Sequence, residues 1–279
     1  MEIGIVGLGL IGGSLAKAIS QNTDNTVYGF DISEPVVHKA MLVDAIEQPL
    51  TDELLSQCDI VIVALYPQDT VDYVTSHADL FKKGSIVCDC SGVKRMVCEQ
   101  LIPLAEEKGF LFVGGHPMAG REHSGFTYAK KSLFSNASMI FTPTKGPIES
   151  MEKLKKLFTS IGFTNIEIAT PEEHDRKIAF TSQLAHVVSN AYIKSPTAQE
   201  HMGFSAGSYK DLTRVAKLNE DMWTELFLEN PDNLADEIDT LIENLQEYSW
   251  AIRENDSETL RQLLKDGREK KAIIDGEIF

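Results

Sequence analysis

The fold class that this 279-residue sequence predicts is an α/β domain on a parallel sheet followed by an all-helical domain, and three features predict it. From Met1 to about residue 168, short apolar runs alternate with helical patterns. That alternation belongs to a parallel sheet covered by helices. Most of the runs are unbroken by polar residues, as strands buried on both faces require. Beyond residue 168 the strand texture stops, and Thr170-Pro171-Glu172-Glu173 gives a strong helix start, with Thr as N-cap, Pro at the first helical position and carboxylates in the first turn.

Taken in order, the strands are expected at residues 3–6, 27–30, 60–64, 86–87, 110–113, 139–141 and 166–168, with helices such as 10–21 and 93–108 between them. The second half suits helices at 175–193, 211–218, 221–229, 234–254 and 257–272, with loops near 194–196 and 203–208. The chain therefore divides into residues 1–168 and 169–279. Along the helix at 234–254, Leu234, Ile238, Leu241, Ile242, Leu245, Tyr248 and Ala251 form an apolar stripe at helical spacing. The stripe needs a packing partner, either the chain's own core or a second copy in a homodimer.

A formal charge of −16 and a pI near 4.8 oppose nucleic-acid binding, because the phosphate backbone would be repelled. A small anionic substrate remains compatible if Arg or Lys residues gather at its site. The start Met-Glu-Ile-Gly-Ile-Val-Gly has no basic region or signal-type stretch, and no segment of the sequence reaches the ~20 apolar residues of a membrane span, so a cytoplasmic protein is expected. Cys58, Cys88, Cys90 and Cys98 lack zinc-type pairing and are expected as reduced, buried thiols.

The first strand runs into Gly7-Leu8-Gly9-Leu10-Ile11-Gly12-Gly13-Ser14, which fits G-x-G-x-x-G between a strand and a helix. Gly7 permits the tight turn, Gly9 lets a pyrophosphate approach the backbone, and Gly12 lets the helix pack on the strand. The helix opening at Leu10 and Ile11 offers free N–H groups and its positive end to phosphates. Asp31, at the end of the second strand, can accept hydrogen bonds from an adenosine ribose and would repel a 2′-phosphate. This is the Rossmann pattern, and it favours NAD over NADP. The glycine turn alone is also compatible with a flavin or with no ligand.

In such sheets the chemistry lies outside the carboxyl ends of the strands, so the loops after Ala64, Asp89 and Gly115 should face the nicotinamide. His116, directly after a strand and before Pro117, is held extended, which suits a fixed base. Neutral imidazole can take a hydroxyl proton near pH 7 as hydride departs. By position alone His116 is equally well a structural loop residue. His186 sits among Leu184, Ala185, Val187 and Val188, where a core histidine fits as well as a ligand. His38, His77, His123, His174 and His201 show no metal-ligand spacing, and no metal is expected.

The glycine loop, Ser91-Gly92-Val93-Lys94, Gly-His-Pro-Met-Ala-Gly at 115–120 with Glu122, Gln183-Leu184-Ala185-His186, and Asp211-Leu212-Thr213-Arg214 followed by Trp223 together resemble the prephenate dehydrogenase family, which includes arogenate dehydrogenases of tyrosine biosynthesis. The resemblance spans nearly the whole chain, and the His-Pro-Met-Ala-Gly block is its most specific part. It implies a Rossmann domain joined to a helical dimerisation domain, hence a homodimer. It also implies a catalytic role for His116 assisted by Ser91, substrate contacts from His186 and Arg214, and an organising role for Glu122. The implied reaction is NAD-dependent oxidative decarboxylation of prephenate to 4-hydroxyphenylpyruvate. Prephenate carries two carboxylates, for which Arg214 can give a bidentate grip, with Lys94 or Arg121 as candidate helpers. Trp223 reads as a packing residue. No appended ACT-type or chorismate mutase module is expected. The competing readings are arogenate dehydrogenase, a β-hydroxyacid dehydrogenase, whose usual lysine-based site has no clear counterpart here, and an NAD-sensing binding module without chemistry.

Overall fold

The computed structural model describes residues 1–120, 123–143 and 146–277. Strands β1 (Glu2–Val6), β2 (Thr26–Phe30), β3 (Gln48–Pro49), β4 (Ile60–Val63), β5 (Ile86–Asp89), β6 (Leu111–Pro117), β7 (Ser138–Pro143) and β8 (Asn165–Ile168) form one sheet in the order β3-β2-β1-β4-β5-β6-β7-β8. Helices α1 (Leu10–Asn22), α2 (Glu34–Leu42), α3 (Asp52–Leu55), α4 (Pro67–Ser76), α5 (Arg95–Lys108) and α6 (Ile148–Ser160) connect them.

The central strands show why the apolar runs are unbroken. Ile60 and Ile62 belong to one core cluster and Val61 and Val63 to another, because successive side chains of a strand point to opposite faces and both faces are covered. Ile86 and Cys88 against Val87 repeat the division on β5. Chain order reverses at β1, whose neighbours are β2 and β4, which creates the switch-point crevice where such sheets bind ligands.

Two expectations for the sheet need correction. Pairing of β6 with β7 is antiparallel, so the sheet is mixed. A parallel return needs a crossover, usually a helix, whereas the described part of the β6–β7 connection holds only a 3₁₀ turn at Phe126–Tyr128. The same pairing lengthens β6: His116 faces Ile140 and Pro117 faces Met139 across the ladder, so His116 lies on the strand and not in a loop after it.

After β8 come α7 (Pro171–Ile178), a π-helical turn at Ala179–Leu184, α8 (Ala185–Tyr192), α9 (Gly207–Thr213) and α10 (Glu220–Leu228). Thr170 caps α7 in a complete capping box with Glu173, as the sequence predicts. The single helix expected at 175–193 is interrupted by the π turn, and the helix expected at 211–218 ends at Thr213 with Arg214 as its C-cap. Compactness divides the chain into Met1–Asn230 and Pro231–Phe279. The second unit is an antiparallel-type pair of long helices, α11 (Pro231–Arg253) and α12 (Ser257–Ile274), joined across by a Tyr248 hydroxyl donating to the Leu263 carbonyl. No helix among the described residues is long and apolar enough to cross a membrane.

Candidate active site

The glycine loop has the build the sequence predicts. Gly7 adopts φ +84, a left-handed conformation that a side chain would strain, and its N–H donates to the Phe30 carbonyl. A Cβ on Gly12 would lie 1.9 Å from the Gly7 carbonyl oxygen, so only glycine lets α1 approach β1 this closely. Around Gly9, the N-cap of α1, a Cβ would meet nothing within 4 Å: the loop is tight beneath and open above. Leu10 and Ile11 open the helix with their amides toward that space. Asp31 closes the cradle, accepting from the Leu8 N–H at 2.9 Å through Oδ2 and from the Ser33 N–H at 2.9 Å through Oδ1. Each carboxylate oxygen retains lone pairs for a ribose hydroxyl.

Three strands along, Asp89 at the end of β5 organises the second half of the site. It is fully buried, accepts from the Gly115 N–H through Oδ1 and from the Ser91 N–H through Oδ2, each at 2.9 Å, and pairs with the Lys94 ammonium. One carboxylate thus ties the loop carrying Ser91 to the strand carrying His116. Ser91 is buried with its hydroxyl 3.5 Å from that of Thr70. A buried ion pair is better tolerated when its remaining hydrogen-bonding capacity is filled, and the two amides do this for the carboxylate. Lys94 is itself fully buried, so its expected help in gripping a substrate carboxylate is replaced by a structural role on Asp89.

His116 Nδ1 lies 2.8 Å from His174 Nε2, and His174 Nδ1 lies 2.7 Å from Asp175 Oδ1. Asp175 also accepts from the Lys94 N–H at 2.8 Å and the Arg95 N–H at 2.9 Å. The Asn230 amide donates both to the Asp175 carbonyl and to Gln183 Oε1, each at 2.8 Å, while Gln183 donates to the Leu226 carbonyl. Burial, then the neighbouring His174 and Lys94, holds the His116 pKa well below the ordinary imidazole value. Burial also lowers that of His174, against the opposing pull of its Asp175 hydrogen bond. For Asp175 itself burial pushes upward, but the hydrogen bonds from His174 and the Arg95 and Lys94 amides prevail and keep the carboxyl below its usual range. His116 is therefore a neutral imidazole near pH 7.

His186 and Arg214 form a separate pair. The His186 ring packs on Trp223 with centroids 4.0 Å apart, and its Nδ1 lies 3.4 Å from the Val215 carbonyl. Burial and the adjacent Arg214 charge lower the His186 pKa. Its turn of α8 begins where the π-helical segment ends, a feature frequent at functional sites. Arg214 is exposed at the end of α9. Glu122 and Arg121 lie outside the described residues. Asp89, His174 and Asp175 were not among the residues singled out from the sequence. The available signals were a carboxylate closing an all-apolar central strand and a His-Asp pair directly after a capping box. The four cysteines are free, with burial pushing Cys58 up to about 12 and Cys98 to about 11, and the described residues contain no cluster able to hold a metal.

A nucleotide cradle at the switch point, with a neutral base held on the same carboxyl edge of the sheet, defines the class as a dinucleotide-dependent oxidoreductase. Residues 15–167 match the model of the prephenate dehydrogenase nucleotide-binding domain, and residues 170–266 match that of the prephenate dehydrogenase dimerization domain. The chain belongs to the prephenate dehydrogenase family. A prephenate dehydrogenase of Bacillus subtilis (strain 168) is 30% identical over 95% of this chain and 74% of its own length. Among solved structures, prephenate dehydrogenase from A. aeolicus, in complex with hydroxyphenyl propionate and NAD+, superposes with a TM-score of 0.85 at 28% identity, covering 98% of each chain. Arogenate dehydrogenase of Synechocystis superposes with a TM-score of 0.83 at 25% identity over the whole of both chains.

Proposed function

We propose that this chain catalyses the NAD-dependent oxidative decarboxylation of prephenate to 4-hydroxyphenylpyruvate, a step of tyrosine biosynthesis, as a cytoplasmic homodimer. The observation that carries the reading is His116, a neutral imidazole fixed at the carboxyl edge of the sheet that also bears the glycine cradle. The family supplies the substrate class, and the naming of the B. subtilis and A. aeolicus relatives supports prephenate within it.

Gly7, Gly9, Gly12 and the amides of Leu10 and Ile11 would hold the pyrophosphate of NAD, with Asp31 on the adenosine ribose. Bound NAD supplies the hydride acceptor. His116 takes the proton of the hydroxyl on the ring carbon that loses hydride, so the carbon becomes a carbonyl without building up an alkoxide. The resulting dienone loses its ring carboxylate as carbon dioxide, and the electron pair aromatises the ring. Aromatisation makes the step effectively irreversible. The proton held by His116 can then return to the phenolate oxygen. Ser91, whose amide donates to the same Asp89 carboxylate as the amide of Gly115 next to His116, would orient the hydroxyl. Arg214 would pair with a substrate carboxylate, with His186 beside it and Glu122 closing the site. Residues 1–168 serve as the NAD-binding domain and 169–279 as the substrate and dimerisation domain. In the latter, α11 leaves Ile242, Leu245, Trp250 and Ile252 exposed, an apolar face suited to a second copy.

Arogenate is the second reading, favoured by the Synechocystis structure. It differs from prephenate only in carrying an amino group where prephenate has the side-chain keto oxygen. Steady-state NADH or NADPH formation with prephenate and arogenate, each with NAD and NADP, tests both choices. The highest kcat/KM is expected for prephenate with NAD. Greater efficiency with arogenate would overturn the substrate assignment, and greater efficiency with NADP would overturn the role of Asp31.

A further inference from the structure

His174 and Asp175 lie outside every role assigned above, yet they form a continuous hydrogen-bonded chain with His116. We propose that they are positioning residues that fix the tautomer of His116, holding its proton on Nδ1 so that Nε2 carries the lone pair that accepts the substrate proton. The proposal rests on the reading of His116 as the base and adds what sets its working state.

The order of donors follows from the one group in the chain that can only accept. Asp175 is ionised, its Oδ1 and Oδ2 already receiving the Lys94 and Arg95 amides, so the 2.7 Å contact requires a proton on His174 Nδ1. His174 is buried and neutral, so its Nε2 has a lone pair and must accept. At 2.8 Å from that lone pair, His116 Nδ1 must carry a proton, which leaves His116 Nε2 unprotonated. When Nε2 gains a proton in the reaction, the imidazolium charge is spread toward Asp175 through the same two hydrogen bonds. Asp175 is held by α7, whose start the Thr170–Glu173 capping box fixes, and by Asn230, so the chain is anchored at its far end. A merely packed core pair would need none of this alignment.

Two near-isosteric changes separate alignment from packing. In His174→Gln, a side-chain oxygen can reach the place of Nε2 and accept from His116. In His174→Asn, an amide nitrogen can replace Nδ1 toward Asp175 but nothing reaches His116. Nitrogen-15 spectra of histidine-labelled protein report directly which ring nitrogen of His116 is protonated, with or without turnover. Wild type and His174→Gln are expected to show His116 protonated on Nδ1 near neutral pH, and His174→Asn to lose that preference. In parallel, His174→Asn should lower kcat by about tenfold, the worth of one hydrogen bond, with KM little changed, and His174→Gln should recover most of the loss. Wild-type His116 protonated on Nε2, or His174→Asn with an unchanged His116 tautomer, would overturn the proposal. If the protein fails to oxidise prephenate, the tautomer measurement still decides the point, so the two failures are distinguishable.

Discussion

Replacing His116 by asparagine is expected to lower kcat by about 10²–10⁴-fold while leaving KM for prephenate nearly unchanged. In the proposed reaction the proton moves only as hydride leaves, so the interaction between His116 and the substrate hydroxyl would grow in the transition state. Loss of an interaction of that kind appears in kcat and not in binding. Asparagine retains a polar side chain of similar shape, and the backbone of β6 is held independently by its pairing with β7 and by the Gly115 amide on Asp89. Affinity for NAD, measured by fluorescence titration, should survive because the glycine loop lies on β1 and α1, away from the change. A variant with near-normal kcat would return His116 to a structural role.

Arg214→Gln should do the opposite. The contact proposed for it with a substrate carboxylate would already exist in the ground state, so losing it would chiefly raise KM. Arg214 is exposed, so solvent screens its charge, which places the effect near the lower end of the range for buried charge pairs, about 2 kcal/mol. That corresponds to a rise in KM of about 30-fold, read from initial rates at saturating NAD. The chain's charge of −16 makes a local cation indispensable for a dicarboxylate. An unchanged KM would exclude Arg214 from the substrate site.

What was legible in the sequence is what local physics determines. The glycine loop, its strand and its helix are adjacent in the chain, and Asp31 follows at the end of the next strand. The helix start at Thr170 is likewise a matter of four consecutive residues, and it appears as a full capping box. What escaped depends on contacts between distant segments. The apolar run of this strand stops at Val113 and His116 reads as lying just past the strand, yet pairing of Gly114, Gly115 and His116 with Thr142, Phe141 and Ile140 carries His116 onto β6. The link from His116 to His174 spans 58 residues and that from Lys94 to Asp175 spans 81, separations at which no periodicity signals contact. Lys94 in Ser-Gly-Val-Lys reads as an available cation; only the fold shows that it is fully buried against Asp89. The π turn before His186 leaves the helical pattern of the sequence intact while shifting the register of the side chains that follow it.

The central claim is that a neutral His116 is the proton acceptor, and the pH dependence of kcat/KM for prephenate tests it most directly, because it reports the ionisation of the essential base in the free enzyme. The His116 pKa is lowered, so the base stays neutral, and the enzyme active, to a pH below the ordinary imidazole value of about 6.5. The predicted profile for wild type is a single acid limb displaced below that value, and the limb is absent from the residual activity of His116→Asn. An acid limb at or above the ordinary imidazole value, or one that persists unchanged in His116→Asn, would contradict the account.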